Sequence, residues 1–228
     1  MSFSTPKVPK TVSVSVVGVG LVGSEFVRQL QALPSPHPFR LVSLSSSKTT
    51  VFNADGIPPS TDWRALLRAS TSTTKQDHVA DLQRQLPTLV RADNAVVFVD
   101  NTASASVAET YPALLRAGVH VVTPNKKAFS GSQILYDQIV DASREGGAKF
   151  LHEATVGAGL PVLSTLKDLV GTGDKVRNVC MCTPMRLCER ADRAMLARIM
   201  NIACCSRRVL FSFPSTPYLS LALALALG

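Results

Sequence analysis

The residues most able to do chemistry come early. Gly18-Val19-Gly20-Leu21-Val22-Gly23 lies after a β-branched run and opens a helical one. That placement suits a phosphate cradle: the first glycine permits a tight turn and the second lets main chain approach a pyrophosphate. The third lets helix and strand pack closely, and the N–H groups of the helix N-terminus face the negative charge. The spacing makes Gly18, Val19, Gly20, Leu21, Val22 and Gly23 candidates for dinucleotide binding, with a structural glycine turn as the alternative.

The end of the next strand should choose between nicotinamide cofactors. An acidic residue there accepts hydrogen bonds from the ribose 2′-hydroxyl of NAD. This chain instead has Ser45-Ser46-Ser47-Lys48. Hydroxyls beside the Lys48 cation suit a 2′-phosphate, which favours NADP while leaving NAD possible; an ordinary polar loop is the other reading. Three further polar segments each end an expected strand: Asp100-Asn101-Thr102, the TPNKK segment at 123–127, and HEATVGAGLP at 152–161. In an open α/β sheet the carboxyl ends of strands are where ligands bind.

The elements that must hold these segments follow from pattern. Residues 11–17 (TVSVSVV) read as a buried strand, 21–33 as a helix and 39–44 as a second strand. Asp62 is placed to cap a helix over 63–69, and another helix is expected over 76–86. AVVFV at 95–99 is apolar throughout, as in a central parallel strand covered on both faces. A helix over 106–117, a strand over 119–122, a helix over 133–144, a strand over 149–152 and a helix over 161–170 complete the alternation. Strands separated by such helices imply βαβ units: an α/β, Rossmann-type, doubly wound parallel sheet.

VGVGLVG, VDNT, TPNKKAFS, HEATVGAGLP and TGDKV, in that order, resemble the homoserine dehydrogenases, particularly the fungal kind, over roughly residues 10–177. The resemblance implies reversible hydride transfer between NAD(P)H and aspartate 4-semialdehyde, giving homoserine for threonine and methionine synthesis. It places Asn101 and Thr102 at the ribose–nicotinamide end of the cofactor and Lys126 near nicotinamide and substrate. It also implies a monovalent-cation site, for sodium or a similar ion, with oxygens from Glu153, Val156, Ala158 and Leu160, mostly main-chain carbonyls. A carboxylate capping the helix after Pro161 is the other reading of Glu153. Aspartate-semialdehyde dehydrogenase, a relative in fold, needs a cysteine nucleophile; the first cysteine here is Cys180.

Residue usage changes after Asn178. All five cysteines lie from Cys180 onward, and no lysine follows Lys175. The expected organisation is a cofactor-binding domain over 10–160, the start of a linking and catalytic region over 161–178, and a non-family, poorly ordered tail over 179–228 with one helix over 185–202. The family's catalytic α+β domain would then be largely missing, and with it the acid/base lysine that the resemblance calls for. No catalytic residue can be assigned, and impaired activity is expected. A non-catalytic NADP-binding fragment or regulatory partner of the full-length enzyme is the alternative.

The remaining properties exclude more than they assign. The net charge of +8 is spread along the chain without aromatic interleaving, which argues against a nucleic-acid partner. The cysteines lack the paired CxxC spacing of structural zinc sites. No secretory leader is expected, and the apolar closing segment is shorter than the roughly 17–25 residues of a membrane span. A cytoplasmic protein without a membrane partner is the expectation, with the homodimer of the family as its implied assembly.

Overall fold

The structure, a computed structural model, describes residues 10–70, 77–157, 160–175, 178–180 and 188–190. Six strands form the main sheet: β1 (Thr11–Val17), β2 (Phe39–Ser45), β3 (Thr50–Phe52), β4 (Asn94–Asp100), β5 (His120–Val122) and β6 (Phe150–Leu151). Their order is β3-β2-β1-β4-β5-β6, and β1, β2, β4, β5 and β6 run parallel. The chain leaves β1 toward β2 on one side, then returns to place β4 on the other. The carboxyl ends of β1 and β4 therefore flank the switch point where such sheets bind ligands.

Helices cover both faces, as expected of a doubly wound sheet. Adjacent residues of β4 point opposite ways, so Val96 and Phe98 enter one core while Val97 and Val99 enter the other. On the second face lie α1 (Leu21–Gln31), through Phe26, Val27 and Leu30, and α2 (Trp63–Ala69), through Trp63 and Leu67. Packed on the first face are α3 (Asp77–Gln85), α4 (Ala105–Ala108), α5 (Tyr111–Arg116), α6 (Lys127–Ser130) and α7 (Gln133–Gly146). The last helix among the described residues is α8 (Val162–Gly171). β1 also carries polar residues inside: Ser13 donates to Asn94 Oδ1 at 3.0 Å, and Ser15 pairs with Ser43 at 3.0 Å, so burial leaves neither hydroxyl unbonded.

Several sequence expectations are corrected. The edge strand β3 was missed, and it pairs with β2 antiparallel, so the sheet is mixed. An antiparallel edge on an otherwise parallel sheet needs only the tight turn 46–49, which the Ser46 hydroxyl organises by accepting from the Lys48 and Thr49 N–H groups. The helix expected over 106–117 is two helices, because Pro112 has no N–H and can sit only in the first turn of a new one. Residues 188–190 form a strand, β8 (Cys188–Arg190), antiparallel to β7 (Asn178–Cys180), where a helix was expected. The other residues of the expected tail helix lie outside the described residues.

Candidate functional site

Three loops at the carboxyl ends of β1, β4 and β5 meet at the switch point. β1 runs into Gly18, whose N–H donates to Ser45 O at 2.9 Å, while the Asn101 N–H donates to Val17 O at 2.8 Å. The loop is thus tied to both neighbouring strands. Gly18 has φ +87°, and a Cβ there would lie 2.7 Å from Thr102 Cγ2 and 2.9 Å from the Asn101 carbonyl carbon. Conformation and space both require glycine. Gly23 sits in the first turn of α1 against the Gly18 carbonyl, and the Ser24 hydroxyl donates to Val19 O at 3.1 Å.

Gly20 differs from both. It precedes α1 without any side-chain cap, and the position of its absent Cβ has nothing within 4 Å. Leu21 is 94% exposed, Val22 is exposed beside it, and no acidic side chain stands in the first turn. The helix therefore presents its first N–H groups and the positive end of its dipole to open space. Asn101 adds a buried amide, Nδ2, with no hydrogen-bond partner, 3.4 Å from where a Gly23 Cβ would be. An open glycine, an uncapped helix N-terminus and an unpartnered amide donor fit the pyrophosphate of a dinucleotide.

The second and third loops are joined by a buried carboxylate. Asp100 Oδ1 accepts from the Thr102 N–H at 2.7 Å; Oδ2 accepts from Asn125 Nδ2 at 2.9 Å and from the Tyr111 hydroxyl. The Tyr111 oxygen also lies 3.1 Å from Thr123 Oγ1, and the Thr123 hydroxyl donates to Asp100 O at 3.0 Å. Asp100, Tyr111, Thr123 and Asn125 are all buried. Burial, followed by the Asp100 charge, pushes the Tyr111 hydroxyl far above its ordinary pKa, so it remains a donor. Sequence reasoning singled out Asn101, Thr102 and Lys126 but missed Tyr111 and Asn125. Only the polar character of Asn125 at a strand end signalled it, and nothing local in the sequence set Tyr111 apart within the helix expected over 106–117.

Lys126 is half-buried at the start of α6, its carbonyl accepting from the Phe129 and Ser130 N–H groups at 3.0 and 2.9 Å. Among the described residues its ammonium makes no ion pair. Lys48 is exposed on the β2–β3 turn. The hydroxyls of Ser45 and Ser46 bond within that hairpin, to Thr50 Oγ1 at 2.7 Å and Thr49 Oγ1 at 3.0 Å, which leaves Ser47 and Lys48 outermost. A separate cleft, lined in part by Leu30, His37, Phe39 and Arg40, opens at the opposite end of β2.

The loop after β6 follows the strand that neighbours β5. Glu153 Oε1 accepts from the Leu163 N–H at 2.7 Å, and both its oxygens accept from the Ser164 N–H, at 3.2 and 3.1 Å. The carboxylate caps α8, as the second of the two sequence readings had it. Val156 is buried and Leu160 is 65% exposed; Ala158 lies outside the described residues. Among the described residues no cluster of three His, Cys, Asp or Glu side chains is placed to hold a metal ion. His152 packs between Phe129 and Phe150, at ring distances of 4.6 and 4.9 Å, and its Nε2 lies 3.4 Å from Lys167 Nζ. Burial, reinforced by that ammonium, lowers its pKa to about 4.

The family model described as homoserine dehydrogenase, NAD binding domain, matches residues 18–153, from the first glycine of the loop to the carboxylate that caps α8. The chain belongs to the homoserine dehydrogenase family. The homoserine dehydrogenase of Paracoccidioides brasiliensis is 40% identical over 174 residues, which are 75% of this chain and 46% of that relative. A crystal structure of a Candida auris protein of unknown function is 38% identical, with a TM-score of 0.62 over 74% of this chain and 46% of the other. A hyperthermophilic archaeal homoserine dehydrogenase in complex with NADPH shares the fold at 20% identity and a TM-score of 0.54, over 71% of this chain and 50% of its own. This homoserine dehydrogenase family member thus spans about half the length of the curated relatives it matches. No helix among its described residues is long and apolar enough to cross a membrane.

Proposed function

We propose that this chain is the cofactor-binding part of an NAD(P)-dependent homoserine dehydrogenase, acting between L-homoserine and L-aspartate 4-semialdehyde. The observation that carries the reading is the open space at Gly20, beside the uncapped α1 and the unpartnered Asn101 amide, in a chain of this family. The bound nicotinamide would supply the hydride acceptor or donor. The chain's own part is to hold it. The N–H groups at Gly20, Leu21 and Val22 bind the pyrophosphate, Val19 and Gly23 shape the loop, and Asn101 and Thr102 meet the ribose next to the nicotinamide. Lys126, an ammonium without an ion pair among the described residues, faces the substrate end.

The cofactor reading favours NADP. Ser47 and Lys48 offer a hydroxyl and a cation at the end of β2, no carboxylate stands there to bind a 2′-hydroxyl, and an archaeal family member carries NADPH. A monovalent cation such as sodium belongs to the same reading at Glu153, Val156, Ala158 and Leu160. Because the Glu153 carboxylate caps α8, the donors would be chiefly main-chain carbonyls, a neutral oxygen set that suits a singly charged ion.

The residues present serve the cofactor and supply no assigned acid or base for the substrate hydroxyl, a role typically worth about 10²–10⁴-fold in rate. The 228-residue chain is expected to bind NADPH and not to oxidise homoserine alone. NADPH fluorescence titration and a homoserine oxidation assay on one sample test both halves. Binding without turnover supports the reading. Absence of binding overturns the cofactor assignment, and enzyme-like turnover overturns the division of labour. Homodimerisation, implied by the family, is checked by light scattering.

A further inference from the structure

We infer that Asn125, which cannot touch a ligand, is the positioning residue for the nicotinamide half of the cofactor site; this rests on the cofactor reading above. Asn125 is 1% exposed, and its main-chain N–H and both side-chain polar atoms are bonded. The N–H donates to Thr123 Oγ1 at 2.8 Å. Nδ2 donates to Asp100 Oδ2 and to Ser104 O, both at 2.9 Å. Oδ1 accepts from the Lys127 N–H at 3.0 Å. One side chain therefore clamps three pieces: the end of β4, the start of α4, and the turn carrying Lys126 into α6.

The topology assigns this clamp to one half of the dinucleotide. The pyrophosphate belongs at the glycine loop and the adenosine ribose at the end of β2, so the remaining half must extend toward the ends of β4 and β5. Those are the ends that Asn125 ties together. Asp100 holds Thr102 with one oxygen and Asn125 with the other, so the loop bearing Thr102 and the loop bearing Lys126 share a single carboxylate. The glycine loop is anchored differently, through Ser45 O and the Val17 carbonyl, neither of which involves Asn125. Loss of the amide should free the Lys126 turn from β4 and leave the adenosine side intact.

The test is a binding comparison on the whole 228-residue chain. NADPH reports both halves of the site, and 2′,5′-ADP reports the adenosine side alone; NADH and 5′-ADP are the matched pair for a chain that prefers NAD. Asn125→Ala should weaken NADPH by about tenfold or more, the scale of losing bonds in a buried network, while 2′,5′-ADP stays within about twofold. A merely structural role would weaken both probes alike, and that result, or an unchanged NADPH affinity, overturns the inference. If Asn125→Ala fails to fold, Tyr111→Phe takes a hydroxyl from the same carboxylate while keeping the ring, and should show the same split at smaller size; equal effects on both probes would again overturn it. A wild-type chain that binds neither probe refutes the cofactor reading itself, which separates that failure from this one.

Discussion

A Cβ placed on Gly23 would lie 2.1 Å from the main-chain carbonyl oxygen of Gly18. Neither partner is a flexible side chain, so the clash can be relieved only by moving α1 away from the end of β1. Gly20, three residues earlier on the same loop, has open space where its Cβ would go. The two glycines therefore make opposite predictions. Gly23→Ala should destabilise the fold by about 2–3 kcal/mol, as overpacking does, and lower the denaturation midpoint. Gly20→Ala should leave stability within about 0.5 kcal/mol, since its extended backbone suits alanine. Its methyl group would instead occupy the ligand's space and weaken NADPH by about tenfold or more. Equal stability losses in the two variants would contradict the assignment of separate roles.

The buried carboxylate network should be equally measurable. Asp100→Ala would remove the acceptor of the part-buried Thr102 N–H, of the buried Tyr111 hydroxyl and of one buried Asn125 proton. Each unsatisfied buried group costs about 1–3 kcal/mol, so a loss of about 3 kcal/mol or more is expected in urea denaturation. Tyr111→Phe removes one donor to the charge and should cost less, about 2 kcal/mol. A double variant that loses no more than Asp100→Ala alone would show that the two groups act as one unit.

What the sequence made legible was what short-range rules decide. Asp62 before an apolar helical run was read as a cap, and its carboxylate accepts from the Arg64 and Ala65 N–H groups at 3.0 and 3.2 Å. The unbroken apolar run in β4 announced a strand covered on both faces, and Val96, Phe98, Val97 and Val99 divide between two cores. The glycine loop was visible because turn geometry and close packing each demand a residue without a side chain.

What stayed hidden needed the third dimension. β3 is three residues of Thr, Val and Phe behind a serine-rich turn, too short to show a period of two. The break before Tyr111 could have been read from Pro112, but the apolar residues on either side kept the helical period through it. Asn125 and Asp100 are 25 residues apart in the chain, and nothing local marks that one amide serves the other's carboxylate. The two readings of Glu153 were both consistent with its sequence; the position of α8 put its carboxylate on the helix N-terminus.

That cap has its own consequence. Glu153→Ala should remove the partners of the Leu163 and Ser164 N–H groups and cost about 1 kcal/mol, within the range for lost N-terminal caps. The proposed cation rests chiefly on main-chain carbonyls. Replacing sodium chloride by choline chloride at equal ionic strength should therefore lower the melting temperature of wild type and Glu153→Ala alike. A salt effect confined to the wild type would make the carboxylate the principal ligand instead of the cap.

Acid sensitivity should come in part from His152. Burial first, then the Lys167 ammonium, hold its folded pKa at about 4 against an ordinary 6.5, and burial with the Lys149 charge lowers His120 in the same direction. A histidine that is harder to protonate when folded binds its proton preferentially in the unfolded chain. Its contribution is therefore complete above pH 6.5 and is lost as pH falls from there toward 4. For His152 the loss across that window is on the order of 3 kcal/mol at most. Carboxylates begin to titrate in the lower part of the same window, so the informative quantity is the difference between wild type and His152→Gln. Measured by urea denaturation at pH 7 and pH 5, the wild type should lose more stability than the variant. Parallel losses in the two proteins would mean that His152 titrates as it does in the unfolded chain, and that its packing between Phe129 and Phe150 does not exclude the proton.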